Sequence, residues 1–546
     1  MSRIWWCFFL VSAVLAGASP PDPERVVIIA NSADRESMEL ARHYAEKRGV
    51  PSNRIIAVRM SSAEEITWPQ FVSTIWNPLL QAGISGRWLD AVTSEKTDAY
   101  GRLKIASSGH SIEALVVCRG VPLRIAHSTT FFNENSTPLN RNTAFRNNAA
   151  AVDSELALLA VASAPIDAFI PNPFLADNPD EAALASQIIP VGRLDGPTLA
   201  DAEGLVDRAI LAESIGLCGR AYIDLGGGPV NEGNLWLEGV APALSALGFE
   251  IDIDRDAKTL SVASRFDAPV LYFGWYEWNV NGPFKSPSFR FPVGAVALHI
   301  HSFSAATLRS GEFNWAGPLV RHGVTAALGN VAEPYLGLTH QPQLFAAALV
   351  RGEPLGRAAL LSIKALSWQG VVIGDPLYRP FATSAETQWE RRDALGPVAE
   401  TYARMRQMRL RAAAGDLKSA LALGRAGMKK NPTLPLALTQ AELLLNASDA
   451  PGAIRTLGVF TLLPSWREVD RPLVLEAARL LTRASDAASG CVLLRRLLDE
   501  DSLTVDFRQP ALIQAIEIAR VARDLELTAR WQAQLDALTS KSHSAH

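Results

Sequence analysis

Between residues 25 and 381, short runs of β-branched and aromatic residues alternate with amphipathic helical stretches, and after residue 385 the β-rich runs stop. This alternation limits the folds open to the chain. A strand that is apolar along its whole length must be covered on both faces, so a series of them with helical spacers calls for a sheet between two helix layers. RVVIIA at 25–30 is such a strand, and SMELARHYAEKR at 37–48 has the period of a surface helix closed by Gly49. Further strands are expected at 51–58, at 113–118 (EALVVC), at 220–225, at 251–253, and in PVLYFG, VGAVALHI and VTAALG at 269–274, 293–300 and 324–329. The reading is a three-layer α/β domain with two lobes, 19–184 and 185–385. Residues 82–113 carry no clear period, and 126–150 read as a polar surface loop.

From 386 to 546 alanine, leucine and arginine dominate, which predicts an all-helical domain. Ala420, Ala453 and Ala488 recur after short turns at intervals of 33 and 35 residues. That spacing resembles tetratricopeptide-type helix pairs, in which small residues let helices approach closely.

Composition excludes some classes of function. A formal net charge of -4 over 546 residues, with no long basic run, gives no electrostatic footprint for nucleic acid. Met-Ser-Arg, the apolar run 4–16 and Ala16-Gly17-Ala18 form a secretory signal with cleavage after Ala18, so residues 1–18 are read as a leader and the protein as periplasmic or secreted, with an N-terminal membrane anchor as the lesser alternative because the apolar run is short for a bilayer. The mature chain keeps Cys118, Cys218 and Cys491, too few and too scattered for a disulfide scaffold. A bridge between Cys118 and Cys218 stays open. Gly226-Gly227-Gly228 permits a tight turn but lacks the spaced pattern of a dinucleotide site.

Candidate chemistry gathers at the expected strand ends, where open α/β sheets place their ligand crevices. In LYFGWYEWN (271–279), Trp275 and Tyr276 offer broad faces, with Glu277 and Asn279 to orient a ligand; packing in a core or lid explains the aromatics equally well. In ALHIHSFSAATLR (297–309), His299 and His301 would share one face of an extended strand, but two histidines without a third ligand do not make a metal site. His301 is the candidate acid or base, Ser302 the candidate nucleophile, and Glu333 a carboxylate able to orient the histidine. Asp375, between Gly374 and Pro376, either joins that crevice or makes a turn, and Arg119 either binds an anion or is solvated. No cofactor is specified.

VVIIANSADRESMELARHYAEKRGVP, VVCRGVPLR, AVDSEL, LYFGWYEWN, HIHSFSAATLR, LGNVAEP and VVIGDPLYRPF together resemble a bacterial family of predicted exported proteins that is uncharacterised in activity, over residues 25–381. The later part of that region is similar, more distantly, to the caspase-like fold of gingipain-type cysteine peptidases. Those enzymes carry a histidine after one sheet strand and a cysteine after the next. Here Gly274-Trp275 and His301-Ser302 stand at those places, so the resemblance implies the fold without its Cys/His chemistry. Two functions follow as expectations. The first is an exported module that binds an envelope protein, peptide or glycan, with the helical tail mediating association. The second is an unconventional hydrolase using His301 and a nearby carboxylate. A purely structural scaffold ranks third.

Overall fold

The computed structural model describes residues 21–131, 142–176, 183–227 and 231–543. The leader assigned to 1–18 and part of the polar loop at 126–150 lie outside the described residues. Ten strands form the main sheet: β1 (Val26–Asn31), β2 (Ile55–Val58), β3 (Ala114–Cys118), β4 (Val191–Leu194), β5 (Arg220–Asp224), β6 (Ile251–Asp254), β7 (Pro269–Gly274), β8 (Val296–His299), β9 (Ala326–Asn330) and β10 (Gly370–Ile373). Their spatial order is β6-β5-β7-β8-β9-β10-β4-β3-β1-β2.

Every neighbouring pair in this sheet is parallel except β9 and β10, which run antiparallel with Ala327 opposite Ile373 and Asn330 opposite Gly370. The sheet is therefore two parallel halves of opposite direction. The carboxyl ends of β5 to β9 lie on one edge, and those of β1 to β4 and β10 on the other. The sheet crosses residue 185 without a break, because β4 pairs with β3 along Val191–Leu194. A lobe boundary at 185 does not divide the sheet; its direction changes at β9/β10 instead.

Alternation along each strand builds three layers. In β1, Val26, Ile28 and Ala30 join a core that runs along one face of both halves and includes Tyr222, Tyr272 and Ala297. Helices α1 (Arg35–Arg48) and α2 (Leu199–Ile215) pack there. Val27 and Ile29 face a second core under the first half, and Ile223, Leu271 and Phe273 a third under the other. Residues 82–113 hold an unforeseen antiparallel hairpin, Leu89–Thr97 with Leu103–His110, largely exposed and so without an apolar period. Cys118, Cys218 and Cys491 are unpaired, so no Cys118–Cys218 bridge forms; burial pushes the Cys218 thiol up to about 12.

The C-terminal region is all helical: α3 (Pro397–Ala413), α4 (Leu417–Lys430), α5 (Leu434–Asn446), α6 (Ala450–Leu457), α7 (Arg471–Arg483), α8 (Ala487–Leu498), α9 (Val505–Ala522) and α10 (Leu525–His543). They form hairpins whose first helices touch in series, α3 to α5, α5 to α7 and α7 to α9. What repeats is the start of the second helix. Gly415, Ser448, Ser485 and Arg523 each adopt a left-handed backbone, with φ of 82°, 62°, 65° and 58°. An aspartate follows each one. Asp416, Asp449, Asp486 and Asp524 accept from the backbone N–H of Ser419, Gly452, Ser489 and Leu527, satisfying donors left free at a helix start. Ala420 and Ala453 sit buried one residue later, but Ala488 is exposed, and Gly490 holds their position in α8.

The helical region docks on the edge formed by the amino ends of β5 to β7. Glu250 accepts from Arg220 Nε (3.0 Å) within the sheet, and from Arg409 Nε (2.7 Å) of α3 and Thr439 Oγ1 (2.6 Å) of α5. Beside it Asp267 accepts from Tyr402 Oη (2.7 Å) and pairs with Arg220 and Arg265.

Candidate ligand site at the carboxyl ends of β7 to β9

β5 has β6 on one side and β7 on the other, so the chain reverses its winding between β5 and β7. A crevice beyond the carboxyl ends of the strands is the expected ligand position at such a point. The sequence provides for it at Gly274. A Cβ there would lie 2.4 Å from Tyr272 Oη and 3.1 Å from Asp224 Cβ. Only a residue without a side chain leaves room for the Tyr272 hydroxyl to bridge Asp224 (Oδ2, 3.2 Å) and His299 (Nδ1, 3.0 Å).

The direction of this buried chain follows from donor and acceptor capacity. The Glu277 backbone N–H donates to His299 Nε2 at 3.2 Å, so Nδ1 carries the proton and donates to Tyr272, which donates to Asp224. His299 also stacks on Trp315 at 3.5 Å between centroids. Burial, with His301 nearby, drives His299 well below its usual range and keeps it neutral. Burial raises Asp224 to about 7, against the hydrogen bonds from Leu260 and Tyr272. Both nitrogens of His299 are thus engaged, Nδ1 by Tyr272 of β7 and Nε2 by the Glu277 N–H of the 275–279 loop, and a two-histidine metal site with His301 does not form. Among the described residues no group of three or more His, Cys, Asp or Glu is placed to hold a metal ion.

That loop sorts its aromatics. Trp275 is 1 % exposed, with its indole N–H on Asn234 (2.6 Å), and is a core residue rather than a ligand contact. Tyr276 and Trp278 are 42 % and 51 % exposed. His301 lies between them, 4.6 Å from the Tyr276 ring and 4.9 Å from the Trp278 ring, and Trp278 continues to Phe303 at 5.8 Å. Asn279 accepts from the Asn314 backbone at 2.6 Å, fastening this loop to the next, and the exposed Glu277 caps Trp278 N at 2.8 Å.

Glu333, expected to orient His301, meets Ser302 instead, with Ser302 Oγ donating to Glu333 Oε2 at 2.5 Å. His301 does not complete a triad. Its Nδ1 is 2.5 Å from the Ser302 carbonyl oxygen, and it has no hydrogen bond to the Ser302 hydroxyl or to a carboxylate. The four-residue crevice with Asp375 is not formed either. Asp375 follows β10, whose carboxyl end meets the start of β9, so it lies on the opposite edge. There it accepts from Tyr44 Oη (2.9 Å), Arg48 Nε (2.6 Å) and Leu377 N (3.0 Å). Arg119 is spent on Glu36 (2.9 Å), Asp195 (3.2 Å) and the Gly196 carbonyl, also on that far edge.

The site is an aromatic shelf, Tyr276, Trp278 and Phe303 around a histidine, rimmed by Glu277, Glu333 and the exposed Tyr335. Phe303, Trp315 and the Asp224–Tyr272 pair were not apparent from sequence; the Tyr-x-Gly ending of β7 was the available signal. Burial lowers His301 from its ordinary 6.5, while Ser302, Glu277 and Glu333 oppose the shift. A histidine NMR titration from about pH 8 to about pH 5 should show His301 protonating below 6.5 and His299 unchanged. A midpoint for His301 at or above 6.5 would contradict its covering by the two rings. No family model, curated protein or solved structure matches the chain.

Proposed function

We infer that this is an exported binding module that takes a chain-like ligand, an envelope peptide or glycan, along the Tyr276–Trp278–Phe303 shelf. The observation that carries this reading is the exposure of two large aromatic rings beside rim carboxylates, without a base aligned on Ser302. Flat, half-exposed rings stack on sugar faces or apolar side chains, and Glu277 and Glu333 accept hydrogen bonds from ligand donors. Export rests on the leader pattern in residues 1–18. The neighbouring parallel ends of β7 and β8 support a caspase-like arrangement with its nucleophile and base replaced, and the aspartate-capped hairpins support a tetratricopeptide-like tail. A hydrolase remains the second reading because of the Ser302–Glu333 hydrogen bond.

Panels of soluble oligosaccharides and peptides, read by tryptophan fluorescence, test the proposal. Trp278→Ala should weaken the best ligand roughly tenfold or more, and Ser302→Ala should leave it within about twofold. Ser302-dependent release of product from any panel member would replace binding with hydrolysis. Absence of any ligand sensitive to Trp278→Ala would refute both the site and its use.

A further inference from the structure

A second site lies where the helical region meets the sheet, far from the aromatic shelf. A cavity of about 510 Å³ opens between the segments leading into β7 and β8 and the starts of α3, α5 and α7. Its volume falls in the ~300–1,000 Å³ range of small-molecule sites, which favour the junctions between domains. The walls are mainly apolar: Phe266, Phe289 and Phe291 from the sheet side, Val398, Tyr402 and Leu473 from the helices. At its lining two large apolar side chains stay in water, Val398 at 71 % and Val469 at 49 % exposure. An apolar ligand in the cavity would cover them.

The charges around the cavity indicate what fits. Asp267 is committed to Arg220, Arg265 and Tyr402. Asp470 is gripped by Arg467 through Nε (2.6 Å) and Nη2 (2.9 Å). Arg290 donates only to the carbonyls of Pro287 and Phe289 and makes no ion pair among the described residues. The Thr433 hydroxyl, also lining the cavity, is buried without a hydrogen-bond partner. The uncommitted groups are thus one cation and one hydroxyl beside an apolar trough.

The geometry points to a site for a single-chain anionic amphiphile, a fatty-acid-like molecule with its head on Arg290 and its tail along the phenylalanines. The site joins sheet and helical region, so occupancy would brace one against the other. This proposal is independent of the shelf and of its ligand.

Decanoate, titrated calorimetrically into the full chain below its micellar concentration, is the probe, with 1-decanol as the neutral counterpart. Saturable one-to-one binding of decanoate is expected. Arg290→Glu should weaken decanoate roughly tenfold, the value of a charge-assisted hydrogen bond, and leave 1-decanol unchanged. Val398→Trp, which fills the mouth from an exposed position, should abolish binding of both. Both side chains are exposed, and unchanged thermal unfolding of the free variants would show that the fold is kept. No saturable decanoate binding, equal affinity in Arg290→Glu, or binding that survives Val398→Trp would each overturn the proposal.

Discussion

Replacing Glu250 by alanine should cost about 3–5 kcal/mol at neutral pH, the usual result of removing one partner from a buried ion pair. The carboxylate joins Arg220 of the sheet to Arg409 and Thr439 of the helical region, so its loss takes from both guanidiniums the buried carboxylate they share, leaving Arg220 to Asp252 and Asp267 and Arg409 to Glu442. Urea unfolding of wild type, Glu250→Ala and Glu250→Gln would measure the effect. The pH dependence carries a definite sign. Burial alone would raise this carboxyl, but Arg409, Arg220 and Arg265 outweigh it and hold it at about 2, against an ordinary 4.5. A depressed carboxyl contributes stability that is complete above 4.5 and is lost as pH falls through about 2. The gap between wild type and Glu250→Gln should therefore narrow in acid. A gap that stays constant down to about pH 2, or a cost under about 1 kcal/mol for alanine, would mean that the clamp does not hold the two regions together.

Asp375→Ala should be similarly destabilising, about 3–5 kcal/mol, because it strips the acceptor from Tyr44 and from a half-buried Arg48 that also holds Glu213 of α2. The substitution separates structural from functional roles. Asp375 ties α1 and α2 to the end of β10, on the edge away from the shelf, so ligand affinity measured well below the unfolding temperature should not change. Loss of affinity with stability intact would place Asp375 in the binding machinery.

Much of the α/β layering was legible in the sequence because buried strands such as VVIIAN and PVLYFG announce themselves by unbroken apolar runs. The least legible strand was the most central. β10 contributes only GVVI before Gly374-Asp375-Pro376, and the sequence reads there as the end of a domain, not as the strand that joins two half-sheets. In the helical region alanine spacing gave approximately the right interval, but the register is set by a left-handed residue followed by a capping aspartate. This signal is masked because glycine, serine and arginine all fill the left-handed position.

At the candidate site the sequence pointed to the loops after β7, β8 and β9 but mixed up their side chains. Period-two alternation put His299 and His301 on one face, but β8 ends at His299, and beyond it the backbone turns. One histidine therefore enters the hydrogen-bonded core and the other the shelf. The separation of Trp275 from Trp278 has the same origin, since where a strand stops decides which following ring is covered. Asp375 illustrates the larger difficulty: strand direction cannot be read from apolar content, so two residues that each follow a strand can lie on opposite edges.

The antiparallel seam also has a consequence for the order of assembly. β10 is the last strand of the sheet to be synthesised, yet it occupies the middle, with β4 and β9 on its two sides. Until residue 373 is available, a growing chain holds two separate half-sheets, each with a raw inner edge of unpaired amides and carbonyls. Such edges recruit other strands, including those of neighbouring chains. Closure of the sheet is thus a late, long-range event, and the interval before it is when this protein is most exposed to wrong pairing and most dependent on whatever shields an unfinished chain.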